Sequence, residues 1–199
     1  DILNKSDFDF DRINTITDIG CGRGQILMKA KKSNLFNNKC IFEGYDINPE
    51  AIRLAKKDTD KIDFFNKDFI NLNTKIKDIV IAADVFEHVQ DTYNFLTKLR
   101  EKSNFFLFNI PLEISLFSML RKKNIFKHSY DNVGHLHFYT NKTSILLLES
   151  TGFKIINYNL VNNRLHEFKA KKKLLSLFIN IPQYICLLYT SDAADDVRG

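Results

Sequence analysis

The chain predicts an α/β fold: a doubly wound, mostly parallel, seven-stranded sheet with helices on both faces. Three observations carry that expectation. Apolar strand patterns and amphipathic helix patterns alternate from Thr15 onward. The first strand ends in an acid and a glycine turn, Asp18-Ile19-Gly20-Cys21-Gly22-Arg23-Gly24, that runs directly into a helix. The second strand pattern ends on another acid, Asp46, and Asn48-Pro49 then opens the next helix.

The elements follow in order. Thr15–Ile19 is the first strand, and the helix near Gly24–Ser33 carries Ile26, Leu27 and Ala30 on one face. Cys40–Tyr45 is the second strand. Asn48 caps a helix that has Pro49 at its first position and runs through Lys57. Ile62–Asn66 and Asp78–Ala82 are short strands, Asp91–Lys102 a helix, and Asn104–Ile110 a buried strand stopped by Pro111. Leu112–Phe126 is expected to be helical and to pack over the sheet. A helix beginning at Thr140-Asn141 runs through Ser150, with Gly152 suited to its C-cap. Phe153–Leu160 is a sixth strand and Arg164–Phe168 a seventh.

At 199 residues, 44% hydrophobic and 27% charged, the chain suits one domain with a substantial core. Three cysteines, Cys21, Cys40 and Cys186, make no CxxC pair, which argues against a disulfide framework and for a reducing, cytoplasmic setting. The chain starts at Asp1 without an initiator Met or a signal peptide, as expected of a fragment. Residues 186–199, CLLYTSDAADDVRG, shift abruptly to Ala and Asp. They resemble translated sequencing-adapter read-through of the kind met in assembled metagenomic genes. The domain is therefore expected to span 1–185, with 186–199 a non-native tail.

Arg198 against Asp192, Asp195 and Asp196 makes that tail acidic, so the remainder is more basic than the +5 of the whole. Lys169, Lys171, Lys172 and Lys173 cluster ahead of Leu174, Leu175, Leu177, Phe178 and Ile181. The stretch 169–181 is too interrupted to span a bilayer but fits peripheral contact with an anionic membrane surface. Basic residues are not interleaved with aromatics as in an RNA-binding module, so no nucleic-acid partner is expected.

The glycine turn discriminates between cofactors. A dinucleotide fingerprint, G-x-G-x-x-G, requires its third glycine at position 25, which is Gln25; the spacing here is G-x-G-x-G. Asp18 at the turn would repel a pyrophosphate, and so favours a ligand with positive groups, such as the ammonium and sulfonium of S-adenosylmethionine.

DIGCGRGQIL resembles the first motif of the class I S-adenosylmethionine-dependent methyltransferases, whose fold is Rossmann-like. The similarity continues through FEGYDINPEAIRLAKK (42–57), NKDF (66–69), IAADVFEHVQD (81–91) and GHLHFYTNKTSILLLESTGF (134–153). The resemblance implies S-adenosyl-L-methionine as cofactor, held at the turn by Asp18, Gly20, Cys21, Gly22 and Gly24. It further implies Asp46 on the ribose hydroxyls, Ile47 and Phe69 against the adenine, Asp68 on its amino group, and Asp84 at the end of the fourth strand. The core V-x-E-H-V is present as Val85-Phe86-Glu87-His88-Val89.

Methyl transfer is a displacement that needs alignment and removal of a proton from the acceptor. The candidate catalytic residues are His88, His135 and His137, the last two sharing one side if GHLHF is extended, with Glu87 as an alternative base. A metal is not expected, because no third ligand joins that pair in the sequence. The resemblance implies a small-molecule acceptor, such as a quinone, lipid precursor, sugar or metabolite, most commonly O-methylated. No N-P-P-Y segment follows the fourth strand. Two other readings stay open: an NAD-dependent oxidoreductase, and a non-catalytic cofactor-binding protein of the same fold.

Overall fold

The structure is a computed structural model that describes residues 9–33, 35–114, 125–161 and 184–190. The parallel strands β1 (Thr15–Ile19), β2 (Ile41–Asp46), β3 (Asp63–Asn66), β4 (Lys77–Ala83) and β5 (Ser103–Pro111) pair in the order β3-β2-β1-β4-β5. The order reverses at β1, which places the carboxyl ends of β1 and β4 on either side of a crevice. β6 (Lys154–Val161) completes the far edge.

Between β5 and β6 runs the backbone of β7 (Tyr184–Thr190), antiparallel to both. This strand crosses the boundary expected at 185/186, so Cys186–Thr190 pair with the sheet despite the change in composition. The expected strand Arg164–Phe168, the basic stretch 169–181, and most of the helix expected over Leu112–Phe126 lie outside the described residues. Of that last segment, Leu112–Ile114 carry no helix and Ile125–His128 form one turn. Among the described residues no helix is long and apolar enough to cross a membrane.

Helices cover both faces because the strands alternate. Ile79 and Ile81 of β4 pack with Leu27 of α1 (Gln25–Lys32) and with Ile52 and Ala55 of α2 (Pro49–Asp58). Val80 and Ala82 point the other way, onto Leu96 and Leu99 of α3 (Thr92–Arg100) and Leu147 and Leu148 of α4 (Asn141–Ser150). Phe106 and Phe108 join that second layer and meet the Phe153 ring edge-on, with centroids 5.1 and 5.3 Å away.

The helix boundaries follow their caps. Asn48 accepts from the amides of Glu50 and Ala51, with Pro49 at the first position. Asp91 accepts from Asn94 N, and Thr140 with Thr143 closes a capping box. At the end of α4 the amides of Gly152 and Phe153 return to the carbonyls of Glu149 and Leu148.

Phe64 of β3 sets the height of the glycine turn, since its ring fills the space where Gly24 and Gly44 lack side chains. A Cβ at Gly44 would lie 2.6 Å from the Phe64 ring and 2.9 Å from Cys21 Sγ. Gly44→Ala is therefore expected to lower stability by about 1–3 kcal/mol through overpacking, checked by urea unfolding of both proteins.

Candidate active site

β1 delivers the chain into a turn in which Gly20, Gly22 and Gly24 all have positive φ, at 64°, 52° and 72°. Two of them also need the missing side chain. A Cβ at Gly20 would come within 2.8 Å of Val85 Cγ2, and one at Gly24 would overlap the Phe64 ring. The turn is tied down by Cys21 N donating to Tyr45 O (3.1 Å) and Gly22 N donating to Asp46 Oδ2 (2.8 Å). The other oxygen, Asp46 Oδ1, accepts from Asn48 N at 2.8 Å. One carboxylate thus joins the first glycine turn to the loop that opens α2.

A cavity of about 640 Å³ opens at these strand ends. Of the residues predicted for the site, Gly20, Asp46, Ile47, Asp68, Phe69, Asp84 and His88 line it. Ile47 stands 77% exposed at the rim, an apolar side chain with an uncovered face. Phe69 is buried against Tyr45, ring centroids 5.0 Å apart. Asp68 also caps the short turn Phe69–Asn71, accepting from Ile70 N (3.1 Å) and Asn71 Nδ2 (2.7 Å). Asp84 holds a left-handed backbone, φ 53°, unusual for a residue with a side chain and a mark of a constrained site.

Asp18, Cys21, Gly22 and Gly24 do not line the cavity. Asp18 corrects the charge argument made from the sequence. It lies on the α1/α2 side of the central strand, is 1% exposed, and has an Oδ2 without a hydrogen-bond partner among the described residues. Burial, reinforced by the negative charge of Asp46, pushes its carboxyl up to about 8. At neutral pH the acid under the turn is largely protonated, so it presents no full negative charge there. The Cys21 thiol below the turn is likewise pushed up, to about 12, by burial and the two nearby acids.

The predicted histidines separate. His88, on the short turn Phe86–His88 after β4, lines the cavity and is exposed. The segment Gly134–His137 is drawn onto it because the Glu87 carbonyl accepts from Leu136 N (2.8 Å) and His137 N (3.1 Å). That contact sets the His135 ring edge-on to His88, centroids 4.7 Å apart. His137 turns away from this pair, and its Nε2 lies 2.8 Å from the Val89 carbonyl. That contact engages one ring nitrogen only, and it is His137's position, outside the cavity lining, that separates it from His88.

Glu87, the alternative base expected from the sequence, and Glu113, which the sequence does not single out, complete the group. Glu87 is 0% exposed, and burial pushes its carboxyl up to about 8. Glu113, following β5, meets His135 Nδ1 through Oε2 at 2.9 Å. No spacing pattern links Glu113 to the motif after β4; only the sheet brings them together.

A family profile described as "Methyltransferase domain" matches residues 6–158. The chain belongs to the methyltransferase domain family. It is an S-adenosylmethionine-dependent enzyme, and the cavity suits that donor. The turn has no side chains where the donor approaches, Asp46 has spare lone pairs, and Ile47 offers an uncovered apolar face.

Solved structures share the fold at low identity. An S-adenosylmethionine-dependent methyltransferase from Mesorhizobium loti has a TM-score of 0.66 and 16% identity, over 92% of this chain and 93% of that one. One from Archaeoglobus fulgidus has a TM-score of 0.63 and 21% identity, over 91% and 87%. The magnesium protoporphyrin IX methyltransferase from Synechocystis PCC 6803 with bound SAH has a TM-score of 0.62 and 14% identity, over 88% and 73%. No curated protein sequence matches the chain.

The buried acid Asp18 gives a pH dependence with a definite sign. The folded state keeps a proton on Asp18 that the unfolded chain releases near 3.8. Its contribution to stability is complete below that value, declines as pH rises, and is lost above about 8. Melting of the protein without donor is expected to occur at progressively lower temperature across this window. Asp18→Asn should flatten the slope, which reaches at most about 1.4 kcal/mol per pH unit for one group. An equal slope in both proteins would count against a buried, protonated Asp18.

Proposed function

We propose that the enzyme methylates a small-molecule acceptor at a hydroxyl oxygen, with donor and acceptor meeting in the cavity at the ends of β1, β2 and β4. The supporting observation is that one cavity has two chemically different walls. Asp46, Ile47, Asp68 and Phe69 form one, and Asp84, Val85 and His88 the other. Its volume of about 640 Å³ is in the range of small-molecule sites.

The first wall suits an adenosine. Each oxygen of Asp46 accepts one backbone amide and keeps a further lone pair, one for each of two vicinal hydroxyls. Ile47 and Phe69 supply apolar contact for the adenine, and Asp68 an acceptor for its amino group. When bound, S-adenosylmethionine supplies a methyl group on a positively charged sulfur. The second wall then has to orient the acceptor hydroxyl and handle its proton. His88 reaches the cavity and His135 supports it from behind, whereas His137 takes no part.

Asp46→Ala is expected to weaken S-adenosylhomocysteine binding at least tenfold, since it strands two ribose hydroxyls and releases the Gly22 amide. Calorimetry on wild type and variant measures this, and NAD serves as the competing ligand. Preferential binding of NAD would overturn the donor assignment. His88→Ala is expected to reduce turnover with labelled donor and a panel of hydroxylated metabolites by about a hundredfold. Donor binding without transfer to any acceptor would favour a non-catalytic role.

A further inference from the structure

We propose that Glu87, His88 and His135 form a binding site for a divalent first-row transition-metal ion at the acceptor wall of the cavity. One ligand atom from each side chain lies within 4.8 Å of the other two. Modest side-chain rotation brings such a set to about 2.0–2.2 Å from a shared ion. Glu87 is the third ligand that the sequence did not reveal for the histidines.

The carboxylate of Glu87 is the first independent sign of an occupant. It is 0% exposed, and no side chain among the described residues hydrogen-bonds either oxygen; only the backbone amides of Glu87 and Val85 come near it. Burying a carboxyl group in this way is unfavourable unless a donor or a cation satisfies it. Its backbone carbonyl accepts from Leu136 N and His137 N, which holds the His135 segment beside it.

The second sign is the way the imidazoles are held. Nδ1 of His88 lies 3.1 Å from the Gly134 carbonyl, a group that only accepts, so the ring hydrogen is on Nδ1 and the Nε2 lone pair is bare. Nδ1 of His135 meets Glu113 Oε2, while Glu113 Oε1 accepts from the Ser129 hydroxyl at 2.5 Å. A hydroxyl fixing a carboxylate that fixes an imidazole is the outer layer by which proteins aim histidines at metals. Two imidazoles and one carboxylate suit zinc, manganese, iron, cobalt or nickel, and leave coordination positions open.

His88 also lines the donor cavity, so those open positions face the acceptor. This deepens the proposed function and rests on it: the ion would hold the acceptor hydroxyl and make its proton easier to lose. The proton passes to solvent. The oxygen–carbon bond forms as the carbon–sulfur bond breaks with its electron pair left on sulfur, and the ion is unchanged. Glu113 is a positioning residue, acting through His135.

The test is titration of the full chain, without donor, with Co²⁺ followed by visible absorption, then displacement by Zn²⁺. Saturation at one ion per chain is expected. Glu87→Gln and His135→Ala should each weaken Co²⁺ binding at least tenfold, and Glu113→Gln by about ten- to a hundredfold. Circular dichroism checks that each variant folds; if the buried ones do not, His88→Ala, on an exposed ring, carries the same expectation. Absence of saturable binding, or equal affinity in folded variants, overturns the site. Calorimetry of the wild type with S-adenosylhomocysteine separates the two claims. Its binding without Co²⁺ binding removes the metal site alone, and Co²⁺ binding without it removes the donor assignment alone.

Discussion

The site depends on one carboxylate. Asp46 accepts a hydrogen bond from Gly22 with one oxygen and from Asn48 with the other, both at 2.8 Å. It thereby fixes the glycine turn after β1 relative to the start of α2. Charge-assisted bonds of this kind are among the stronger ones a protein makes. Here they shape the cavity wall and leave lone pairs on both oxygens. The acid is a structural clamp that keeps acceptor capacity to spare, because a carboxylate has more lone pairs than two amides consume.

Around that clamp, packing decides which acids can act. Asp18 and Asp46 both end strands and look alike on the page. β1 is central and covered on both faces, so Asp18 is enclosed and held protonated, whereas Asp46 opens onto the cavity. Phe64 supports the arrangement from below by occupying the space beside Gly24 and Gly44. The glycines serve the turn's backbone and its close packing, and only Gly20 among them reaches the cavity wall.

The acceptor wall is assembled differently, by a long-range backbone contact. The carbonyl of Glu87 accepts two amides from Leu136 and His137, joining the turn after β4 to a segment almost fifty residues later. This contact brings His135 to His88 and turns His137 onto the Val89 carbonyl. Period-two spacing put His135 and His137 on one side, and the tether at Val89 is what parts them. Glu113 enters from the end of β5, whose neighbour in the sheet is β4.

The sequence by itself determined the alternation of elements, the caps at Asn48 and Gly152, the helix starts near Asp91 and Thr140, and the line of acids at strand ends. These are local matters of periodicity, backbone torsion and nearby hydrogen bonds, each readable within a few residues. Even the shift from dinucleotide to sulfonium donor was legible, because it turns on one glycine spacing. Only the tertiary structure decided which acid is buried, which histidine lines the cavity, and that Glu87 and Glu113 lie beside it. It also decided that the backbone of Tyr184–Thr190 pairs between β5 and β6. Burial, tautomer and strand pairing depend on partners far away in the chain, and no window of sequence contains both sides of such a contact.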